Sequence, residues 1–181
     1  YADDTTAAVP GAALSAARPF LAATGNFTHG YFGGGETVST MDKVTYADDT
    51  TAAVPGANLT GPRYGLAATG NSTAGYFGGG SPSPVTTDKL SYSTDTTTAV
   101  PGANLTGSRF GVAATGNSTH GYFGGGSFPN VTTMDKLSYA DDTTAAVPGA
   151  ALSVARYSLA ASSARANGLP AIAPFPFPVI V

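Results

Sequence analysis

Gly75-Tyr76-Phe77-Gly78-Gly79-Gly80 decides the architecture of this chain, because the same six residues stand again at 30–35 and at 121–126. Everything around the block repeats in step. Tyr1, Tyr46, Tyr92 and Tyr139 each open a Y-x-x-D-T-T-x-A-V-P-G-A segment. Arg18, Arg63, Arg109 and Arg156 follow these tyrosines at constant spacing, and Asp42-Lys43, Asp88-Lys89 and Asp135-Lys136 precede the next tyrosine. Self-similarity at a fixed period of this length specifies a unit that buries its apolar face only by stacking on neighbours. The periods start at Tyr1, Tyr46, Tyr92 and Tyr139, the fourth departs after Ala161, and the expected division is a repeat array over 1–165 followed by a proline-rich tail over 166–181.

One period predicts four short strands. In the stretch from Arg63, R-Y-G-L-A-A-T alternates, placing Tyr64, Leu66 and Ala68 on one face. Gly70-Asn71 supplies a turn, since both residues tolerate positive φ. A-G-Y-F-G-G is a short aromatic strand ending in glycines. T-D-K-L-S-Y alternates again, with Asp88, Leu90 and Tyr92 on one face and Lys89 and Ser91 on the other. A turn at Asp95-Thr96 leads to T-T-A-V, whose β-branched residues favour a strand and which ends at Pro101-Gly102, because proline cannot donate to a ladder. No stretch carries the apolar spacing of a helix. Four strands in about 46 residues predict a propeller-type blade. The glycines are expected to allow close backbone approach near a propeller axis. A phosphate-cradling loop is set aside, since neither a helix nor a Lys-Ser/Thr pair follows.

Composition narrows the function classes. Only 10% of the 181 residues are charged, and the net charge is −3. That is too little charge for a solvated disordered chain, and there is no basic stripe for nucleic acid. No run is long and apolar enough for a membrane-spanning helix, P-F-P-F-P-V-I-V included. Cysteine and tryptophan are absent, so disulfide and thiolate chemistry are excluded. The chain begins in mid-motif and without Met, as a processed product or the ordered part of something longer would.

Few residues make a case for chemistry. Neighbouring strand residues point to opposite faces, so the Asp and Lys of each Asp-Lys pair do not face one another as acid and base. The Asp is expected to bond backbone N–H groups or the repeated Arg of the next blade. The Asp-Asp-Thr-Thr segments at Asp3, Asp48 and Asp141 offer carboxylates to calcium, but the remaining copy reads Ser93-Thr94-Asp95 and turn chemistry explains Asp and Thr there. His29 and His120 share one repeat position, which holds Ala74 in the middle copy, and two histidines about two blades apart make no zinc site. No Ser-His-Asp constellation stands out, and no catalytic, cofactor or metal residues are assigned. Asn26, Asn58, Asn71, Asn104, Asn117 and Asn130 each begin an Asn-x-Thr glycosylation sequon, a pattern that also suits turns in a Thr-rich chain.

These residues resemble the kelch repeat family, in which a strand ends in a glycine doublet, a tyrosine and then a tryptophan follow, and an arginine leads into the next strand. Gly33-Gly34, Gly78-Gly79 and Gly124-Gly125 match the doublet, Tyr46, Tyr92 and Tyr139 the tyrosine, and Arg63, Arg109 and Arg156 the arginine. Ala53, Ala99 and Ala146 stand where the tryptophan would be, which implies blades that sit closer or a thinner sheet. The near-identical copies are also similar to kelch-like structural and tail-fibre proteins of marine phages and cyanobacteria. The resemblance implies a kelch-like β-propeller array of four-stranded antiparallel blades. Kelch-type copper oxidation needs a cysteine-linked tyrosine and is excluded.

Propellers close with about four to eight blades. Three repeats are whole here, and residues 5–9 and 156–161 correspond to the last and first strands of further blades, so more blades or identical copies are expected to complete the edges. The tail, with Pro174, Pro176 and Pro178 alternating with Phe175, Phe177 and Val179, suits docking on a neighbour. The expected function is that of a non-enzymatic structural or adhesive protein of a virion tail fibre or other extracellular appendage. It would form homo-oligomers or carry further blades, contact a cell-surface glycan or protein, and use no cofactor and no nucleic acid. Loops 36–41, 81–86 and 127–133 differ between copies and are the expected recognition elements. The alternatives are a kelch-type protein- or glycan-binding module of a longer protein, and a stacked-sheet filament of cross-β type.

Overall fold

The computed structural model describes residues 6–82, 85–127 and 129–163. The proline-rich tail and its expected docking lie outside the described residues. Each repeat folds into one four-stranded antiparallel sheet. The first holds β1 (Ala22–Gly25), β2 (His29–Gly33), β3 (Met41–Thr45) and β4 (Thr50–Ala53). The second holds β5 (Ala67–Gly70), β6 (Ala74–Gly78), β7 (Thr87–Ser91) and β8 (Thr96–Ala99). The third holds β9 (Ala113–Gly116), β10 (His120–Gly124), β11 (Met134–Ser138) and β12 (Thr143–Ala146). In each sheet the strands lie in sequence order, with Gly70 opposite Gly75 and Tyr76 opposite Lys89. The helical content among the described residues is single 3-10 turns at the Pro-Gly-Ala segments, such as Pro55–Ala57, where proline pre-sets φ at the first helical position.

Two local features differ from the expected ones. The first strand of the second repeat begins at Ala67 rather than Arg63. Gly65 has φ +64°, which breaks the extended run, and the Arg63 side chain turns inward to bond carbonyls. The first hairpin loop is Asn71–Thr73, one residue longer than a two-residue turn. The Asn71 Oδ1 accepts from the N–H groups of Thr73 and Ala74 at 2.9 and 3.0 Å and so replaces a backbone turn with a side-chain one.

Successive sheets meet face to face. Tyr31 of β2 stacks on Tyr92, 5.1 Å away and tilted by 16°, and Tyr76 of β6 stacks on Tyr139 in the same way. Around the first pair Met41, Ala57, Leu59, Leu66, Phe77 and Leu90 are buried together. Around the second Ala103, Leu105, Val112, Phe123 and Leu137 are. The first strands come together across repeats, β1 against β5 and β5 against β9. The linker after each fourth strand, residues 55–66 and 101–112, is clamped between two sheets. Leu59 N–H donates to Ser39 of the sheet before it, and the Thr60 N–H donates to Asp88 of the sheet after it.

The glycines allow close approach between neighbouring elements. A Cβ on Gly78 would stand 2.8 Å from the Phe123 ring of the next sheet, and Gly79 and Gly80 take φ of +73° and +91°, the first against the following linker at Leu105 and the second against the preceding one at Tyr64 and Leu66. The alanines at the tryptophan positions, Ala53, Ala99 and Ala146, are exposed on the outer strands. Inter-sheet packing is carried by the tyrosine pairs instead.

One further ladder runs along the repeats. Gly65 N–H donates to Phe20 C=O, Gly111 N–H to Gly65 C=O, and Ser158 N–H to Gly111 C=O, at 2.9, 2.8 and 2.8 Å. These equivalent residues all have positive φ, between 54° and 64°, a conformation that costs glycine nothing. The second-to-third-strand loops, residues 34–40, 79–86 and 125–133, grow by one residue from each repeat to the next.

Candidate functional site

The charged residues of the repeat are consumed by joints between elements. Arg63 Nη2 meets Asp88 Oδ2 at 2.6 Å, both side chains almost wholly buried, and Arg63 Nη1 donates to the carbonyl of Thr86 at 2.6 Å. Asp88 also accepts from the Thr60 N–H and hydroxyl. Arg109 with Asp135 and Arg18 with Asp42 repeat the pair. The arginine thus belongs to the linker leading into the Asp's own sheet, and not to the next blade as expected from sequence. Burial pushes the Arg63 and Arg109 guanidinium groups down, and the facing carboxylates oppose that. Fixed in this way, the pairs hold linkers in place.

In the first two Asp-Lys pairs the lysine leaves the other face of the strand and reaches the next sheet. Lys43 Nζ lies 2.7 Å from Asp95, which also accepts from the Tyr31 hydroxyl at 2.6 Å. Lys89 and Tyr76 engage Asp142 likewise, and each lysine sits over its tyrosine ring, 5.6 and 5.5 Å from the centroid. Burial and the facing aspartate push the Tyr31 and Tyr76 hydroxyls up. Burial pushes the Asp95 carboxyl upward, but hydrogen bonds from Lys43 and Tyr31 outweigh it and hold the group below its usual range. Asp49, Asp95 and Asp142 take positive φ in the turn between the third and fourth strands of each sheet.

The sequon asparagines divide into three settings. Asn26, Asn71 and Asn117 close the first hairpin loops, and their Oδ1 atoms also accept from the sequon threonine hydroxyls at 2.8–2.9 Å. Asn58 and Asn104 accept from the N–H groups of Met41 and Thr87, both at 3.0 Å. Asn130 lies exposed in the loop between β10 and β11. His29 and His120 stay on the first and third sheets, each bonded through Nδ1 to the preceding threonine. Among the described residues, no three His, Asp or Glu side chains gather to hold a metal ion. No helix among them is long and apolar enough to cross a membrane.

A partly exposed aromatic surface lies at the loop end. Phe20, Tyr64, Phe110 and Tyr157, from the segment just after each repeated arginine, form a row there. The Phe20 and Tyr64 rings are 6.3 Å apart, and Tyr64 and Phe110 meet edge-on at 5.3 Å. Phe20 is 65% and Tyr157 52% exposed. Bridges from Tyr64 to Ser81 and from Phe110 to Ser127 tie the row to the variable loops. Two clefts open along it. One of about 430 Å³ is lined by Pro19, Phe20, Glu36, Thr37 and Tyr64, and the other, of about 360 Å³, by Phe110, Ser127, Pro129, Asn130 and Tyr157. The loops stand out in the sequence and the aromatic row does not. Its signal is an aromatic one or two places after every repeated arginine. No protein-family model matches the chain, and no curated protein matches it.

Proposed function

We propose that this chain is a structural and adhesive repeat protein whose loop end recognises a surface ligand. The observation that carries this is the contrast within each repeat: strands, linkers and joints are near-identical, whereas the loops beside the exposed aromatic row differ in length and residues. A ligand with flat apolar faces and hydroxyls, such as a cell-surface glycan, suits aromatic rings flanked by Glu36, Thr37, Ser127 and Asn130. A kelch-like propeller arrangement is supported by the strands lying in sequence order in every sheet and by the meeting of β1, β5 and β9. Placement on a virion fibre or other extracellular appendage fits a low-charge array without cysteine, held by short backbone ladders and buried pairs. A kelch-type binding module of a longer protein would use the same end.

Glycan-array binding tests this function directly. Tyr64→Ala with Phe110→Ala is expected to weaken any bound glycan roughly tenfold or more, the loss of about 1.4 kcal/mol or more of ring contact. Exchange of the loop 125–133 for 34–40 is expected to change which glycan binds. Unaltered binding by both variants, with unchanged thermal unfolding, would remove the loop end as the site.

A further inference from the structure

The two outermost sheet faces are halves of the joint that the interior repeats complete. On the outer face of the third sheet, Tyr122 and Lys136 are the equivalents of Tyr31 and Lys43, and of Tyr76 and Lys89. Among the described residues no tyrosine stacks on Tyr122 and no carboxylate meets Lys136. Gly124 lies there beside Met134 with no phenylalanine over it, whereas Phe77 covers Gly33 beside Met41 and Phe123 covers Gly78. The outer face of the first sheet carries what is missing. Tyr46 and Asp49 are the equivalents of Tyr92 and Asp95, and Phe32 and Val44 those of Phe77 and Leu90. Tyr46 is 50% exposed where Tyr92 is 8%, Asp49 is exposed, and Phe32 and Val44 are half-buried.

A linker also stands on each outer face, and an interior joint accommodates one. The sequence resolves the conflict, for residues 1–18 and 139–156 are identical at every position but one, Ala16 against Val154. Arg156 is exposed, while its equivalent Arg18 pairs with Asp42 at 2.8 Å. Replacement of residues 6–18 by a near-identical segment of another copy keeps the contacts on Asp42 the same and displaces residues 6–18 from the joint.

We propose that the outer face of the third sheet receives the first sheet of a second copy of this chain, the linker around 148–156 of one copy taking the place of residues 6–18 of the other. Tyr122 then stacks on Tyr46, Lys136 pairs with Asp49, Phe32 covers Gly124 and Arg156 reaches Asp42. The faces are different patches, so the contact is heterologous and propagates head to tail, into a ring or an open array. The charges are complementary, a cation on one face and a carboxylate on the other.

Sedimentation velocity over a concentration series of the full chain tests this. The chain is expected to associate. Lys136→Glu and Asp49→Lys each place like charges across the joint and are expected to weaken association at least roughly tenfold. An equimolar mixture of the two single variants is expected to associate again, since the two reversed charges then oppose each other across one joint and the other joint is native. Both positions are exposed or half-exposed, and circular dichroism of each variant checks folding. A full chain that stays monomeric, single variants that associate like the parent, or a mixture that fails to recover would each overturn the proposal. So would association that arises only when residues 164–181 are removed, because that segment would then be the occupant. Glycan binding at the loop end is read separately and is not expected to change in either variant.

Discussion

The linker at 55–66 and the segment at 148–159 share a motif and meet different fates. In the first, Ala57 is fully buried, Leu59 is 4% and Arg63 1% exposed. In the second, Ala150 and Arg156 are exposed and Leu152 is half-buried. Both dock on the sheet before them in the same way, through Leu59 to Ser39 and Leu152 to Thr132, and through Gly35 to Arg63 and Gly126 to Arg156. Only the first has a described sheet after it. Burial is therefore a property of the joint between two units, as expected for an array in which stability sums repeat and interface terms.

The sharpest break of that comparison is Arg63→Ala against Arg156→Ala. The first leaves Asp88 buried and unpaired and is expected to cost about 3–5 kcal/mol, while the second is expected to stay within about 0.5 kcal/mol. Urea unfolding of dilute chain measures both, and equal losses would mean that the motif, and not the joint, sets stability. Next is Tyr76→Phe against Tyr122→Phe. Losing the hydroxyl that Tyr76 donates to Asp142 is expected to cost about 1–2 kcal/mol, and Tyr122→Phe about nothing in dilute solution. The two tyrosine joints set an alkaline limit. Burial pushes the Tyr76 and Tyr92 hydroxyls up and that of Tyr139 up to about 12. The neutral tyrosines therefore contribute fully below the ordinary value of about 10, and that contribution is lost as pH rises through the folded values. The loss of stability between pH about 10 and 12, followed by tyrosinate absorbance, is expected to be shallower in Tyr76→Phe. The smallest contrast is Asn104→Ala, which orphans the Thr87 N–H and is expected to cost about 1 kcal/mol, against Asn130→Ala, expected to be neutral.

Much of the fold was legible because period-2 alternation is a local property. T-D-K-L-S-Y placed Asp88, Leu90 and Tyr92 on one face, and the structure buries all three. The inward turn of Arg63 was not legible, because an arginine ordinarily reads as exposed and its partner lies in β7, beyond a hairpin. Its signal was the recurrence of one Arg and one Asp in every repeat, while their separation grows with the loop between the second and third strands. The sequons carry a second meaning that the sequence alone does not separate, since the same Asn-x-Thr spacing that marks a glycan acceptor also closes a side-chain turn at Asn26, Asn71 and Asn117. At the candidate site, variation between copies pointed to the loops. The aromatic row escaped because it recurs in each repeat, and a recurrent residue reads first as part of the construction.

The ladder through Phe20, Gly65, Gly111 and Ser158 has a consequence for how such a chain can be edited. It fixes the step from unit to unit by one backbone bond at one equivalent residue. The extra residues of the longer periods all fall in the loop between the second and third strands, and none in the segment that carries the ladder. Whole units can therefore be duplicated or deleted, and single loops lengthened, without altering the pitch. Copy number and surface character are free to vary independently of each other.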